Sequence, residues 1–342
     1  MTRTLVTGGT GFLGRHLVEH LLARGESTLR VLTTGPAPRW LEALGAEVVQ
    51  GSITEPEVAT RAVAGVETIY HLAGRVSRSP DDARLMHAIH VDGTRHLCEA
   101  AKAARVRRIV LVSTSGTLAV TETGLRIPDE SHAAPLELIG RWPYYASKYY
   151  QEETAARACE GGPELVTVNP SLLLGPGDDR LSSTQDVLRF LKEEIPVVPS
   201  GGMNFVDARD VAPALVAAME RGRPGEKYLL GGPNWTCAEF FGRLARITKV
   251  PGPRLKLPDR LTLLGARVMD SLYRHFDRVP PVDYTSVEMA TYFWYLDDGR
   301  ARRELSFTTR DPGETLLDTV SYLRRHLLES DAFSDPPAEL PA

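Results

Sequence analysis

Two side chains four residues apart carry the most chemical information in this chain. Tyr144 and Lys148 sit in the run Pro143-Tyr144-Tyr145-Ala146-Ser147-Lys148, and on a helix that spacing puts them on one face. Pro143 suits the first turn of such a helix. A phenol with an ordinary pKa of about 10 exchanges protons poorly at neutral pH. A neighbouring ammonium favours the phenolate and brings it toward the working range. The pair could then give a proton to a carbonyl oxygen while hydride arrives, or take one from an alcohol. The spacing is common by itself, so its meaning depends on what the rest of the chain supplies.

A hydride carrier needs a seat, and residues 4–14 read as one. Thr4 to Thr7 is short, apolar and β-branched, as a strand buried on both faces should be. It runs into Gly8, Gly9, Gly11 and Gly14, which satisfy G-x-G-x-x-G and a close G-x-x-G-x-x-G variant. Such glycines permit a tight turn and a close backbone approach to a pyrophosphate, with the N-terminal N–H groups of the next helix facing the anion. Leu13, Leu17, Val18, Leu21 and Leu22 recur at helical spacing, and Gly25 stops the helix. A second strand, 29–32, ends in Thr33 and Thr34 rather than in the acid that grips a ribose 2′-hydroxyl. No carboxylate there repels a 2′-phosphate, and Arg39 could reach one. NADP is therefore the preferred cofactor, with NAD the alternative.

Stepping outward, strands at 47–50, 68–72 and 108–112 alternate with helical stretches. The fold class is α/β: a Rossmann-type doubly wound parallel sheet with a smaller, discontinuous α/β lid. Ala73 and Gly74 leave room at the carboxyl edge of the sheet, where ligands sit in open α/β folds. The fifth strand delivers Ser113, Thr114 and Ser115 to the same edge, and one of these hydroxyls is expected to orient a substrate oxygen.

Taken together, these segments resemble the extended short-chain dehydrogenases/reductases over nearly the whole length. The likeness rests on Thr7 to Gly14, His71-Leu72-Ala73-Gly74, Val91-Asp92-Gly93-Thr94, Tyr144 with Lys148, Asn169-Pro170 leading to Gly175-Pro176-Gly177-Asp178, and Phe205 to Ala212. It is most similar to the dihydroflavonol-4-reductase-like and 3β-hydroxysteroid dehydrogenase-like branch, near hopanoid-associated sugar epimerase-like proteins. The resemblance implies a catalytic Ser/Thr, Tyr and Lys around a nicotinamide. One alignment of the fifth strand puts the hydroxyl on Thr114 and another on Ser115; Thr114 is preferred. Cofactor contacts would fall on Gly8, Thr10, Gly11, Phe12 and Leu13 in the first loop, and on Thr33, Thr34 and Arg39 after the second strand. Ser52 and Ile53, then Leu72, Ala73 and Gly74, would follow, with Tyr144, Lys148, Pro170 and Ser171 at the nicotinamide end. Two positions depart from the family: Ser52 replaces a frequent aspartate beside the adenine, and His90 replaces a common asparagine. His90 reads as a packed helical residue. The resemblance also implies a homodimer through helices near 82–104 and 144–159.

After Pro170 the chain changes character, with Gly and Pro clustered at 175–177, 196–202 and 251–258. This gives a dinucleotide domain over 1–170, completed by about 203–231, a lid from 171–202 and 232–329, and a flexible tail at 330–342. Leu264, Val268, Leu272 and Phe276 share a helical face expected to pack inside the lid. The substrate reading is a small ketone or secondary alcohol, dihydroflavonol-, steroid- or natural-product-like. Trp235, Tyr273, Phe276 and Tyr292 to Tyr295 are candidates for apolar walls, although the last run reads as core. A nucleotide-sugar epimerase or dehydratase with tightly held NAD is the alternative, its second pyrophosphate met by Arg180, Arg189, Arg254, Lys256 or Arg260. A non-catalytic dinucleotide-sensing module is a third reading, and the intact Tyr/Lys pair argues against it.

The chain of 342 residues, 42% hydrophobic and 25% charged, has an ordinary globular composition. A net charge of −4 makes no case for nucleic acid or an anionic membrane as the main partner. Cys98, Cys159 and Cys237 are too few and scattered for a disulfide framework or a metal site. The first strand starts almost at residue 1, leaving no room for a signal peptide, so a cytoplasmic location is expected.

Overall fold

The computed structural model describes residues 3–26, 28–253, 255, 257–275 and 284–329, so the tail at 330–342 lies outside the described residues. Strands are numbered along the chain: β1 Thr4–Thr7, β2 Leu29–Thr33, β3 Glu47–Gln50, β4 Thr68–His71, β5 Arg108–Val112, β6 Glu164–Pro170, β7 Leu172–Leu174, β8 Gly202–Asp207, β9 Lys227–Leu230, β10 Asn234–Thr236 and β11 Phe293–Trp294. Seven of them form one parallel sheet in the order β3-β2-β1-β4-β5-β6-β9. The order reverses between β1 and β4, which opens a crevice at their carboxyl ends.

Every residue of β1, β2, β4 and β5 is buried, which is why their sequences run apolar without alternation. On one face Leu13, Leu17, Val18 and Leu21 of the Phe12–Ala23 helix share a core with Val211, Leu215 and Met219 of the Ala208–Arg221 helix. On the other, Val58 and Val63 meet Leu97, Cys98 and Ala101 of the Gly93–Ala103 helix and Ala155 of the Pro143–Cys159 helix.

A second, smaller sheet is centred on β8, which pairs antiparallel with β10 and parallel with β11 and β7. The expected return of 203–231 to the main sheet is only partly what forms. The Ala208–Arg221 helix and β9 do return, whereas β8 belongs to the second sheet, where Phe205 packs with Phe240 and Leu174. The larger correction concerns the Asp259–His275 helix, expected to pack its leucines inside the lid. Leu263, Ala266, Asp270 and Tyr273 turn inward, while Leu261, Leu264, Val268 and Leu272 are 54–59% exposed. Phe276 lies outside the described residues. Among the described residues no helix is long and apolar enough to cross a membrane, and no cluster of three His, Cys, Asp or Glu could hold a metal.

Candidate active site

A cavity of about 1500 Å³ runs from the carboxyl ends of the central strands to a space beneath the lid. Its floor begins at the glycine loop. Gly8 has φ +72°, and a Cβ there would lie 2.7 Å from the backbone of Leu72 and Ala73; a Cβ on Gly14 would lie 2.1 Å from the Gly8 carbonyl. Both positions therefore require glycine. Gly11 differs: a Cβ would touch only the Gly8 carbonyl, at 3.2 Å, and Gly11 itself lines the cavity. It caps the Phe12–Ala23 helix without any side-chain hydrogen bond, leaving first-turn N–H groups open toward the cavity. At the far end of the floor the Ser171 hydroxyl is buried with no hydrogen-bond partner. An open helix N-terminus and an orphaned hydroxyl along one trough fit a bound dinucleotide.

Sixteen of the seventeen anticipated cofactor positions line this cavity, and Arg39 does not. Arg39 is exposed at the start of the Arg39–Ala43 helix, whose cavity side is presented by Trp40. Arg15 lines the cavity instead, 5.3 Å over the Trp40 ring and paired with Glu19 at 2.9 Å. The signal was present as the arginine that directly follows Gly14. Thr33 is buried and donates its hydroxyl to the Gly35 carbonyl (2.8 Å), while Ser52 bonds Thr54 (2.7 Å). Both residues shape loops as well as lining the trough.

The central strand ends are held by a buried polar chain. Thr7 Oγ1 accepts the Ala73 N–H at 3.2 Å and meets His71 Nδ1 at 2.7 Å, and His71 Nε2 meets Thr94 Oγ1 at 2.8 Å. Burial, then the charge on Lys148, pushes His71 down to about 3, so it is neutral at physiological pH. Thr94, from the Val91-Asp92-Gly93-Thr94 run, thus acts here by fixing a strand end.

Tyr144 and Lys148 stand on the Pro143–Cys159 helix, which begins with its proline in the first turn. Tyr144 lines the cavity with its ring 5.0 Å from Tyr145 and 6.0 Å from His90. Burial raises its pKa above the ordinary phenol value, Tyr145 adds to this, and the nearby Thr114 hydroxyl opposes it. Lys148 is buried and donates to the Val112 carbonyl (2.9 Å) and to Gln151 Oε1. Desolvation pushes Lys148 down to about 8, outweighing the nearby Glu152 carboxylate, which favours the ammonium. Of the three candidate hydroxyls, Thr114 lines the cavity and bears on the phenol's pKa, Ser113 is spent on Glu152, and Ser115 is buried although it also lines the cavity.

Glu152 is a buried position beside the site that the sequence reading missed. It continues the Tyr144–Lys148 face by one more turn and is buried. Its Oε1 accepts from Ser113, from Thr117 Oγ1 at 2.9 Å and from Asn169 Nδ2 at 2.8 Å; Oε2 pairs with Lys227 at 2.5 Å. One carboxylate therefore clamps both sides of the loop that presents Thr114. Its signal was the i, i+4, i+8 series, legible only once the helix face is known to be buried.

His90 sits in the Ala88–Asp92 π-helical turn. Its Nε2 accepts the Arg75 N–H at 3.1 Å, which assigns the proton to Nδ1, and Nδ1 donates to Ser147 Oγ at 2.8 Å. Ser147 in turn donates to the Tyr144 carbonyl at 2.8 Å. Burial, with Lys148 nearby, pushes His90 down to about 2.

Toward the lid, Tyr145 and Trp294 lie ring against ring at 4.8 Å, with Trp142 5.4 Å from Trp294. Tyr145, Trp142 and Trp294 all line the cavity. Trp235 instead packs on Phe205 beneath Arg243, and neither it nor Tyr273 lines the cavity. Arg78 grips Asp186 through two bonds, 2.7 and 3.2 Å, and reaches Ser286 at 3.1 Å. Of the five cations considered for a second pyrophosphate, Arg180 and Arg189 line the cavity, Arg260 does not, and Arg254 and Lys256 are outside the described residues. Arg189 faces Asp186 at 4.0 Å and Glu194 at 3.9 Å.

With this geometry in place, comparison with known proteins is informative. The model of the NAD dependent epimerase/dehydratase family matches residues 4–231. A protein of Synechocystis sp., provisionally named a dihydroflavonol 4-reductase, is 32% identical over 94% of this chain and 94% of its own. A 4-hydroxy-2-methyl-3-oxo-4-farnesyl-3,4-dihydroquinoline-1-oxide ketoreductase of Stigmatella aurantiaca is 29% identical, covering 93% of this chain and 95% of that one. In fold the chain is similar to a dTDP-glucose 4,6-dehydratase of Streptomyces venezuelae solved with NAD, with a TM-score of 0.74, 24% identity, and coverage of 95% and 98%. The chain belongs to the NAD dependent epimerase/dehydratase family, the extended short-chain dehydrogenases/reductases, and is an NAD(P)-dependent oxidoreductase.

Proposed function

We propose that the protein interconverts a ketone and a secondary alcohol on a small dihydroflavonol-, steroid- or natural-product-like molecule, with NADP preferred over NAD. The observation that carries this reading is that Thr114, Tyr144 and, one helical turn on, the buried Lys148 converge on one cavity wall. When bound, the nicotinamide supplies or accepts the hydride. Thr114 holds the substrate oxygen, and Tyr144 Oη gives it the proton in reduction or takes it in oxidation. The Lys148 ammonium favours the phenolate, and its N–H not directed at Val112 or Gln151 is available to a ribose hydroxyl. Proton return through His90 is disfavoured, because its acceptor nitrogen is occupied by the Arg75 N–H.

Two features favour an uncharged ring substrate over a nucleotide sugar. Tyr145, Trp142 and Trp294 supply an aromatic wall, and Arg78 and Arg189 face their own carboxylates, which leaves exposed Arg180 as the lining cation at that end without a carboxylate partner among the described residues. Arg15 lines the trough beside Trp40, and its ion pair with Glu19 is solvent-exposed and readily exchanged for a 2′-phosphate, which supports the NADP preference. Fluorescence titration of purified protein with NADPH and NADH tests the reading. Exchangeable binding with NADPH tighter supports it, and NAD that survives purification would sink it in favour of internal redox on a nucleotide sugar. Gly11→Val is the control: it fills the trough with a single tight contact, 3.2 Å to the Gly8 carbonyl, so cofactor binding should be lost while the fold, checked by its Tm, remains.

A further inference from the structure

The outer face of the Asp259–His275 helix is the largest feature that the site chemistry leaves unexplained. Leu261, Leu264, Val268 and Leu272 form an unbroken exposed row at spacings of 3, 4 and 4, preceded by exposed Leu255 and Leu257. Single exposed leucines are ordinary on a surface; a row along one helix marks an interaction face. Leu257 and Leu261, at the start of the row, and Thr262, Gly265, Ala266 and Met269 on one flank line the cavity, so the rest of the row forms its outer rim. On the other flank stand Arg260 and Arg267, seven residues apart and both exposed, with Arg267 held 5.0 Å over the Tyr284 ring.

We propose that this face docks on an anionic lipid surface, with the leucine row seated among acyl chains and the arginines at the headgroups. Charge selects the occupant. Residues 254–275 carry five Lys or Arg (Arg254, Lys256, Arg260, Arg267, Arg274) against Asp259 and Asp270, a local balance of +3 in a chain whose net charge is −4. A second copy on the same face would set like charge against like, whereas anionic headgroups complement it. A 17-residue helix of about 25 Å, apolar on one side and basic beside it, lies in the interface plane and does not span it. The whole-chain charge had argued against an anionic membrane as main partner because it averages this segment away. Docking would place the cavity mouth at the lipid, a route for an apolar substrate; the docking itself does not depend on the reductase reading.

The test is flotation of the full-length protein with phosphatidylcholine vesicles, with and without phosphatidylglycerol. Binding to the mixed vesicles about tenfold or more above neutral ones is expected. Leu264→Glu with Val268→Glu should abolish it, and Arg260→Glu should weaken it on anionic vesicles alone, both with unchanged NADPH titrations. The proposal is overturned if the wild type floats with neither vesicle or if the double variant floats as well. It is equally overturned if the wild type is a solution dimer that the double variant converts to monomer.

Discussion

The floor of the cavity and its lid use polar and apolar groups in opposite ways. Beneath Tyr144, nearly every buried polar side chain is committed. Glu152 receives donors from Ser113, Thr117, Asn169 and Lys227, His71 sits between Thr7 and Thr94, and His90 links the Arg75 N–H to Ser147. On the lid, the Asp259–His275 helix buries little beyond Ala266 and holds five large apolar side chains in the open. A proton-transfer site needs atoms held in place at low dielectric, so its polar groups lock one another. A face that meets a changing surface needs the opposite: apolar area held ready and few internal ties.

Changes on the floor should therefore be costly and changes on the lid nearly free. The largest expected effect is that of Tyr144→Phe, which should lower kcat by about 10²–10⁴-fold with NADPH affinity changed only a few-fold. A large loss of cofactor binding would instead assign the phenol a structural role. Glu152→Gln comes next. It leaves Lys227 without its anion and weakens three accepted bonds, for a cost of about 2 kcal/mol, discounted because Lys227 is about a third exposed. The same variant removes the carboxylate that favours the Lys148 ammonium. In the wild type NADPH affinity should fall as pH rises through about 8, where Lys148 loses its proton, and in Glu152→Gln the fall should move to lower pH. A stability loss with an unmoved pH midpoint would show that Glu152 serves the fold alone.

The histidines supply a smaller, global effect. His71 and His90 are depressed to about 3 and about 2 in the folded protein, so the unfolded chain binds more protons between those values and about 6.5. Stability should rise with pH across that window and be lost as pH falls through it. His90→Asn, which places the amide common in the family, should flatten part of the slope in a series of Tm measurements. The smallest change is expected from Leu264→Glu, within about 0.5 kcal/mol of wild type; a larger loss would mean that the lid row packs against something in the free protein.

Much of the floor was legible because its determinants are local. The glycine spacing, the helix that follows and the four-residue step from Tyr144 to Lys148 are read within one or two turns of chain, and the structure brings these segments to one cavity. Arg39 against Arg15 shows the limit. Both are near the ribose end in sequence, and which one faces the trough depends on how the Arg39–Ala43 helix turns Trp40 inward. Glu152 went unnoticed because a glutamate on a helix ordinarily faces water; its role exists only where 113–117, Asn169 and Lys227 converge from separate strands.

The same boundary runs through the whole protein. Sequence by itself determined the doubly wound class, the glycine loop and the placing of Tyr144 and Lys148 on one helix face, since short-range periodicity and turn chemistry dictate them. It also determined that 261–272 has an apolar face. Tertiary structure alone decided that β8 centres a second sheet, that Ser113 is spent on Glu152, and that the apolar lid face looks outward. Periodicity specifies that a face is apolar, but what covers it depends on the packing of segments distant in the chain.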